Sequence, residues 1–188
     1  MTPTAGLFAA AALAAALAFA ADKCACDHAV PATLAERDCG LCQEAEKQAL
    51  PRGDPFPIFF LKDASPRKPN RTLALPIRHT KGHQDLRDLT WEHRSVFWKA
   101  AIAKAQESWP DSWGLAVNSD TVRTQCHLHI HIGKLGDGAD EANPGGQVVP
   151  APEQFPVPES GRGIWLHPVA GGFHVHTDRE IAEPVLVR

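Results

Sequence analysis

The sequence predicts an α+β domain built on an antiparallel sheet, with one main helix and a C-terminal β-hairpin. Three observations carry this. The segment types run strand, strand, helix, strand, strand. His127 to Ile132 alternates imidazole and aliphatic residues with a period of two, as a strand with two unlike faces must. Two apolar segments near the C-terminus flank Ala170-Gly171-Gly172, a tight-turn sequence.

Each element has its own local reason. Ala32 to Leu50 reads as a short helix or turn carrying Cys39-Gly40-Leu41-Cys42, and Phe56 to Asp63 reads as a strand. Ser65-Pro66-Arg67-Lys68-Pro69-Asn70 is a turn cluster, so Arg71 to Leu75 returns as the second strand of a hairpin. Asp88 or Thr90 can cap a helix running to about Ser108, in which Leu89, Val96, Phe97 and Ala100 or Ala101 recur at helical spacing and which Pro110 closes. Gly114 to Asn118 and Cys126 to Leu135 are two further strands. Gly136 to Gly163, rich in Gly and Pro and without periodicity, reads as a long loop. Ile164 to Val169 and Phe173 to Thr177 complete the hairpin.

Composition narrows the class. A chain of 188 residues holds one domain with an adequate core plus appendages, and a formal charge of −3 gives no basic patch, so nucleic acid is not the expected partner. Leu7 to Ala21 is an uncharged run long enough for the apolar region of a signal peptide and too short for a membrane span, and Ala18-Phe19-Ala20 supplies a small-x-small cleavage site. The division expected is a signal peptide over residues 1–20, a mobile segment over 21–37, a main domain over 38–135, and a loop and hairpin extension over 136–188. The protein is expected to be exported, periplasmic or membrane-associated.

Five cysteines in an exported chain suggest disulfides, with at least one thiol left over. Cys39 and Cys42 have the spacing of a zinc knuckle or of a local disulfide. Cys126 falls on the face opposite the three imidazoles and reads as a small buried hydrophobe. His174-x-His176 reads as a solvated strand face, and His28, His83 and His93 as structural.

Spacing two on a strand projects His127, His129 and His131 from one face and leaves Leu128, Ile130 and Ile132 for the core. Such a face can bind metal, exchange protons or attack phosphorus. The polar run upstream, Val117 to Gln125, is rich in amide, hydroxyl and guanidinium donors and suits phosphate oxygens better than a watery metal site. A neutral imidazole is nucleophilic near pH 7 once an acceptor, such as a backbone carbonyl, fixes its tautomer. His129, the middle imidazole, is the best placed.

At these residues the chain resembles the histidine-triad (HIT) superfamily: His127 to Ile132 fits its His-x-His-x-His strand, and Leu73-Ala74-Leu75-Pro76-Ile77-Arg78-His79 fits the strand, Pro and His that precede its helix. The resemblance covers about residues 38 to 135. Asn118-Ser119 followed by Arg123-Thr124-Gln125 looks most like the CDP-diacylglycerol diphosphatase branch, although that branch often has Gln where this chain has His127.

The resemblance implies a HIT-like catalytic domain in which His129 attacks a nucleotide's α-phosphorus and carries a nucleotidyl intermediate. His131 would donate to a phosphoryl oxygen or to the leaving group. Asn118, Arg123, Thr124 and Gln125 would cradle the phosphoryl group, ordinary turn capping being the other reading. Asp63 would contact ribose hydroxyls, with a turn-forming Asp as the alternative. Zinc-bearing members imply a structural zinc on Cys39, Cys42, His79 and His127, the competitor being a Cys39/Cys42 disulfide with His127 in a hydrogen-bond relay. The expected activity is hydrolysis of a nucleotide-conjugate phosphoanhydride, CDP-diacylglycerol giving CMP and phosphatidate. A phosphoramidase, a dinucleoside polyphosphate hydrolase and a non-enzymatic periplasmic zinc-binding protein are the alternatives. The expected partners are a nucleotide-containing small molecule or liponucleotide, with peripheral membrane contact and a homodimer, as many HIT proteins form.

Overall fold

A computed structural model describes residues 24–78 and 84–188; the expected signal peptide, His79 and His83 lie outside them. The α+β architecture predicted from the sequence is what the chain adopts. Seven strands form one antiparallel sheet, β1 (Ile58–Lys62), β2 (Thr72–Pro76), β3 (Gly114–Val117), β4 (Ile130–Gly133), β5 (Gln147–Val149), β6 (Ile164–Val169) and β7 (Gly172–His176), in the order β1-β2-β4-β3-β6-β7-β5. The helices are α1 (Gly40–Glu46) and the main one, α2 (Trp91–Ser108). The C-terminal hairpin is no separate appendage: β6 pairs with β3 and continues the sheet.

Helix α2 begins where the sequence places a cap, with the Thr90 hydroxyl accepting from the His93 N–H at 3.2 Å. Its buried face is Phe97, Trp98, Ala101, Ile102 and Ala105, while Val96, expected inside, is 46% exposed. Phe97 and Trp98 are both fully buried neighbours, and this sets the helical phase one step on from the one Val96 suggested. That face packs on Ala74, Leu115, Val117, Leu128, Ile130 and Ile132. Each such large side chain removed from water contributes about 1.5–3 kcal/mol.

The other sheet face carries the imidazoles. Register aligns Leu73, His131, Ala116, Trp165 and His176 in one row across β2, β4, β3, β6 and β7. Near the first of these, Phe59, Leu73 and Leu75 pack with Ala45 of α1; near the middle, Ala116 and Trp165 pack under Ala182, Val185 and Leu186. The C-terminal tail is thus a strap over this face. It is held by the buried Arg71, whose guanidinium donates to the Leu186 carbonyl at 2.6 Å and the Val187 carbonyl at 3.1 Å.

Two loop readings change. The Gly136 to Gly163 segment contains β5, a three-residue edge strand on β7. It approaches so closely at the Ala170-Gly171-Gly172 turn that a Cβ on Gly172 would collide with the Val149 carbonyl oxygen. The final triad strand is shorter than expected, because residues 124–127 form a bend tied elsewhere: the Cys126 N–H donates to the Asp38 carbonyl and its carbonyl accepts from Gln84.

Candidate active site and a second histidine cluster

Leu128, Ile130 and Ile132 enter the α2 core, so His127, His129 and His131 share the opposite face even though His127 and His129 precede β4 proper. His129 Nδ1 lies 2.8 Å from the His127 carbonyl oxygen. A carbonyl only accepts, so Nδ1 carries the proton and Nε2 holds the lone pair. Burial lowers the His129 pKa to about 4, so the ring is neutral at pH 7. His127 Nε2 similarly donates to the Pro76 carbonyl at 2.8 Å, pinning the imidazole to the end of β2.

His131 is held between two carboxylates. Its Nε2 stands 3.1 Å from Glu183 and its Nδ1 3.9 Å from Asp63. Burial, then the neighbouring His129, Lys68 and Arg71, keep it well below its ordinary pKa. Glu183 also pairs with Lys68 at 2.6 Å and Arg71 at 3.3 Å. Asp63 uses its other oxygen to accept from the Ser65 N–H at 2.9 Å, so it makes the turn and faces the site at once.

The polar run does more scaffolding than the resemblance implies. Asn118 Oδ1 accepts from the backbone N–H groups of Ala182 and Glu183, at 2.9 and 3.1 Å, and so positions Glu183. Gln125 Oε1 accepts from Leu41 N–H at 3.0 Å and its amide donates to the Arg37 carbonyl at 3.1 Å, clamping the start of α1. The Arg123 side chain is buried, donates to the Gln84 carbonyl and lies 3.4 Å from Asp85. Only Thr124 among these four is exposed.

All seven residues expected at the catalytic and substrate positions, His129, His131, Asn118, Arg123, Asp63, Thr124 and Gln125, nonetheless line one cleft of about 800 Å³. Five Lys or Arg and three Asp or Glu line it, an excess of positive charge in a chain that is negative overall. Leu41, Leu61, Leu73, Val122 and Ile181 give it an apolar wall. Lys68 and Glu183 were missed from the sequence: Lys68 read as part of a turn, and Glu183 lies in a tail without periodicity.

The zinc set needs correction. Cys39 is bonded to Cys26 and Cys24 to Cys126, leaving Cys42 as a buried free thiol. A disulfide sulfur is no thiolate, so Cys39 and Cys42 do not close a Cys2His2 site with His79 and His127, and they do not pair with each other. All five cysteines gather in one buried cluster because the segment over 24–42 packs on the bend before His127, and Cys126, expected as a simple hydrophobe, becomes its anchor. Two disulfides are characteristic of a chain folded in an oxidising compartment. No helix among the described residues is long and apolar enough to cross a membrane.

The reading of His174-x-His176 as a solvated face also fails. His176 is fully buried and His167 nearly so, and with His174 and Asp140 they form a group that could hold a metal ion. Period-two spacing was the available signal; that the facing strand supplies His167 opposite His174 could be known only from the register. No protein-family model matches the chain, and no curated protein sequence matches it.

Proposed function

We propose that the protein is an exported, HIT-like hydrolase of phosphoanhydrides in nucleotide conjugates, with CDP-diacylglycerol as the leading substrate. The observation that carries this reading is His129: a neutral imidazole, its Nδ1–H spent on the His127 carbonyl and its Nε2 left nucleophilic, lining a cleft with excess positive charge. In this reading Nε2 attacks the phosphorus next to the nucleoside, the P–O bond to the leaving phosphate breaks, and water then releases the nucleotide from His129. Lys68 and the other cations bind phosphate oxygens. His131, neutral between Glu183 and Asp63, can offer an N–H hydrogen bond to a phosphoryl oxygen or to the departing oxygen. The apolar wall formed by Leu41, Leu61 and Ile181 suits the acyl portion of a liponucleotide presented at a membrane face.

The non-enzymatic metal-binding reading is less favoured, because His129 belongs to the cleft and not to the His167 cluster. Zinc, expected at Cys39 and Cys42, is reassigned to that cluster. The test is incubation of the purified protein with CDP-diacylglycerol, adenosine phosphoramidate and a dinucleoside polyphosphate, with chromatographic separation of products. CMP and phosphatidate formed by the wild type and absent with His129→Ala support the proposal. Faster turnover of either other substrate moves the assignment to that activity, and no turnover of any of the three overturns the enzymatic reading.

A further inference from the structure

We propose that Asp140, His167, His174 and His176 bind one divalent transition-metal ion of the zinc class, in a site separate from the His129 cleft. This stands independently of the proposed hydrolase activity.

The geometry is that of a preformed ligand shell. The four donor atoms lie within 4.8 Å of one another. One oxygen of Asp140 stands 2.7 Å from His174 Nδ1, 3.1 Å from His167 Nε2 and 3.5 Å from His176 Nε2. Donors around a tetrahedral ion with bonds of about 2.0–2.1 Å are about 3.3 Å apart. The three separations from Asp140 bracket that value, and the whole set stays within 4.8 Å, so side-chain rotations can close it around an ion.

The three imidazoles are delivered by paired strands. His167 faces His174 across the β6–β7 ladder, and His176 faces Trp165 on the same sheet face. The Trp165 indole stacks flat on the His176 ring, with centroids 3.7 Å apart and planes 5° apart, which fixes the ring's orientation. Asp140 comes from outside the hairpin, in the loop after β4, so the ion would tie that loop to the sheet.

Unmet polar demand is the independent observation. His176 is fully buried, and neither of its ring nitrogens has an aligned hydrogen bond; His167 Nε2, also buried, lacks one too. Buried polar atoms left in this state are costly and uncommon. A cation accepting one lone pair each from His167 and His176 satisfies His167 Nε2 and one of the two unpaired nitrogens of His176. Three imidazoles and one carboxylate form a borderline-soft set that suits zinc, cobalt, nickel or copper; magnesium and calcium prefer all-oxygen sites. From β4 to the β6–β7 pair that carries the imidazoles is two to three inter-strand steps, about 10–14 Å, so the ion would not reach a phosphate on His129. Its role is structural.

The test is isothermal titration of tag-free, chelator-treated, dialysed full-length protein with zinc chloride and, separately, magnesium chloride, alongside metal analysis of protein grown with zinc. The expected result is one zinc per chain and no magnesium. His174→Ala and Asp140→Ala, both at partly exposed positions whose loss spares the core, should each weaken zinc binding by about tenfold or more, while His129→Ala retains it. A circular-dichroism melt confirms that each variant is folded. Cobalt bound in place of zinc should give the intense visible absorption of a tetrahedral ion. Stoichiometric zinc that survives both His174→Ala and Asp140→Ala, zinc lost with His129→Ala, or no zinc at all overturns the proposal.

Discussion

Glu183, in the C-terminal strap, sets a carboxylate oxygen 3.1 Å from Nε2 of His131, in the middle of the sheet. Arg71, only 2% exposed, and Lys68 share the same carboxylate. Glu183→Gln keeps the shape but removes the charge that compensates a buried guanidinium, and should cost about 2 kcal/mol. A urea-denaturation midpoint measures this. If Glu183 orients His131 toward the departing oxygen, kcat should fall as well, by roughly a hundredfold.

His129→Ala should lower turnover by roughly a thousandfold or more and leave the thermal midpoint nearly unchanged, since this ring faces the cleft and not the α2 core. The wild type should accumulate an acid-labile, base-stable nucleotidyl label that maps to His129. Retention of near-normal kcat in the variant would disprove the mechanism.

The buried histidines make stability depend on pH in a defined direction. His129 has an ordinary pKa of 6.5, lowered to about 4 in the folded chain, so below pH 6.5 the unfolded state binds more protons. Stability from this group is therefore full above pH 6.5 and is lost as pH falls toward 4, by about 3 kcal/mol over the window. His131 shifts in the same direction and adds to the slope. Denaturation midpoints measured between pH 4 and 8 should rise with pH. Because Nε2 stays unprotonated, kcat/KM should fall off on the acid side only where the fold itself does.

The Cys24–Cys126 bond spans 102 residues, and a cross-link of that reach stabilises by about 4–5 kcal/mol through the unfolded chain. Cys24→Ala with Cys126→Ala should lower stability by that order. It should also reduce activity at temperatures where the rest of the sheet persists, because Cys126 stands one residue before the triad. Paired urea melts and rate assays on this variant and on the wild type check both effects.

Arg123→Ala should destabilise by roughly 2–4 kcal/mol, since it leaves the Gln84 carbonyl without its guanidinium donor and Asp85 with Arg87 alone. Arg123→Lys should restore only part, because an ammonium cannot reproduce the fork. Chemical denaturation separates this support role from a direct contact. A loss of kcat/KM well beyond the stability loss, at a temperature where all variants are folded, marks Arg123 as touching phosphate.

The sequence made the sheet and the orientation of His129 legible because Leu128, Ile130 and Ile132 left no other face for the imidazoles. It made α2 legible through Thr90, but not its phase, since Val96 and Phe97 are adjacent apolar residues and only packing chooses between them. Strand β5 was hidden because Gln147 and Val148 are exposed and only Val149 is buried. The cysteine pairs were hidden for a different reason. Cys24 meets Cys126, and Cys26 meets Cys39, through a tertiary approach that spacing does not encode. Glu183 and Asp140 reach their histidines the same way, from segments without periodicity.

Cys42 gives the finished molecule kinetic protection. It is the odd thiol in a cluster with two disulfides, the arrangement most prone to sulfur scrambling, yet burial raises its pKa to about 11. Exchange requires a thiolate, and at neutral pH only about one molecule in ten thousand carries one there. Before the cluster closes, the same sulfur has an ordinary acidity and can attack a mispaired Cys24, Cys26 or Cys39. Alkaline or partly unfolding conditions, which deprotonate or expose this sulfur, should therefore be the ones that set the disulfides moving.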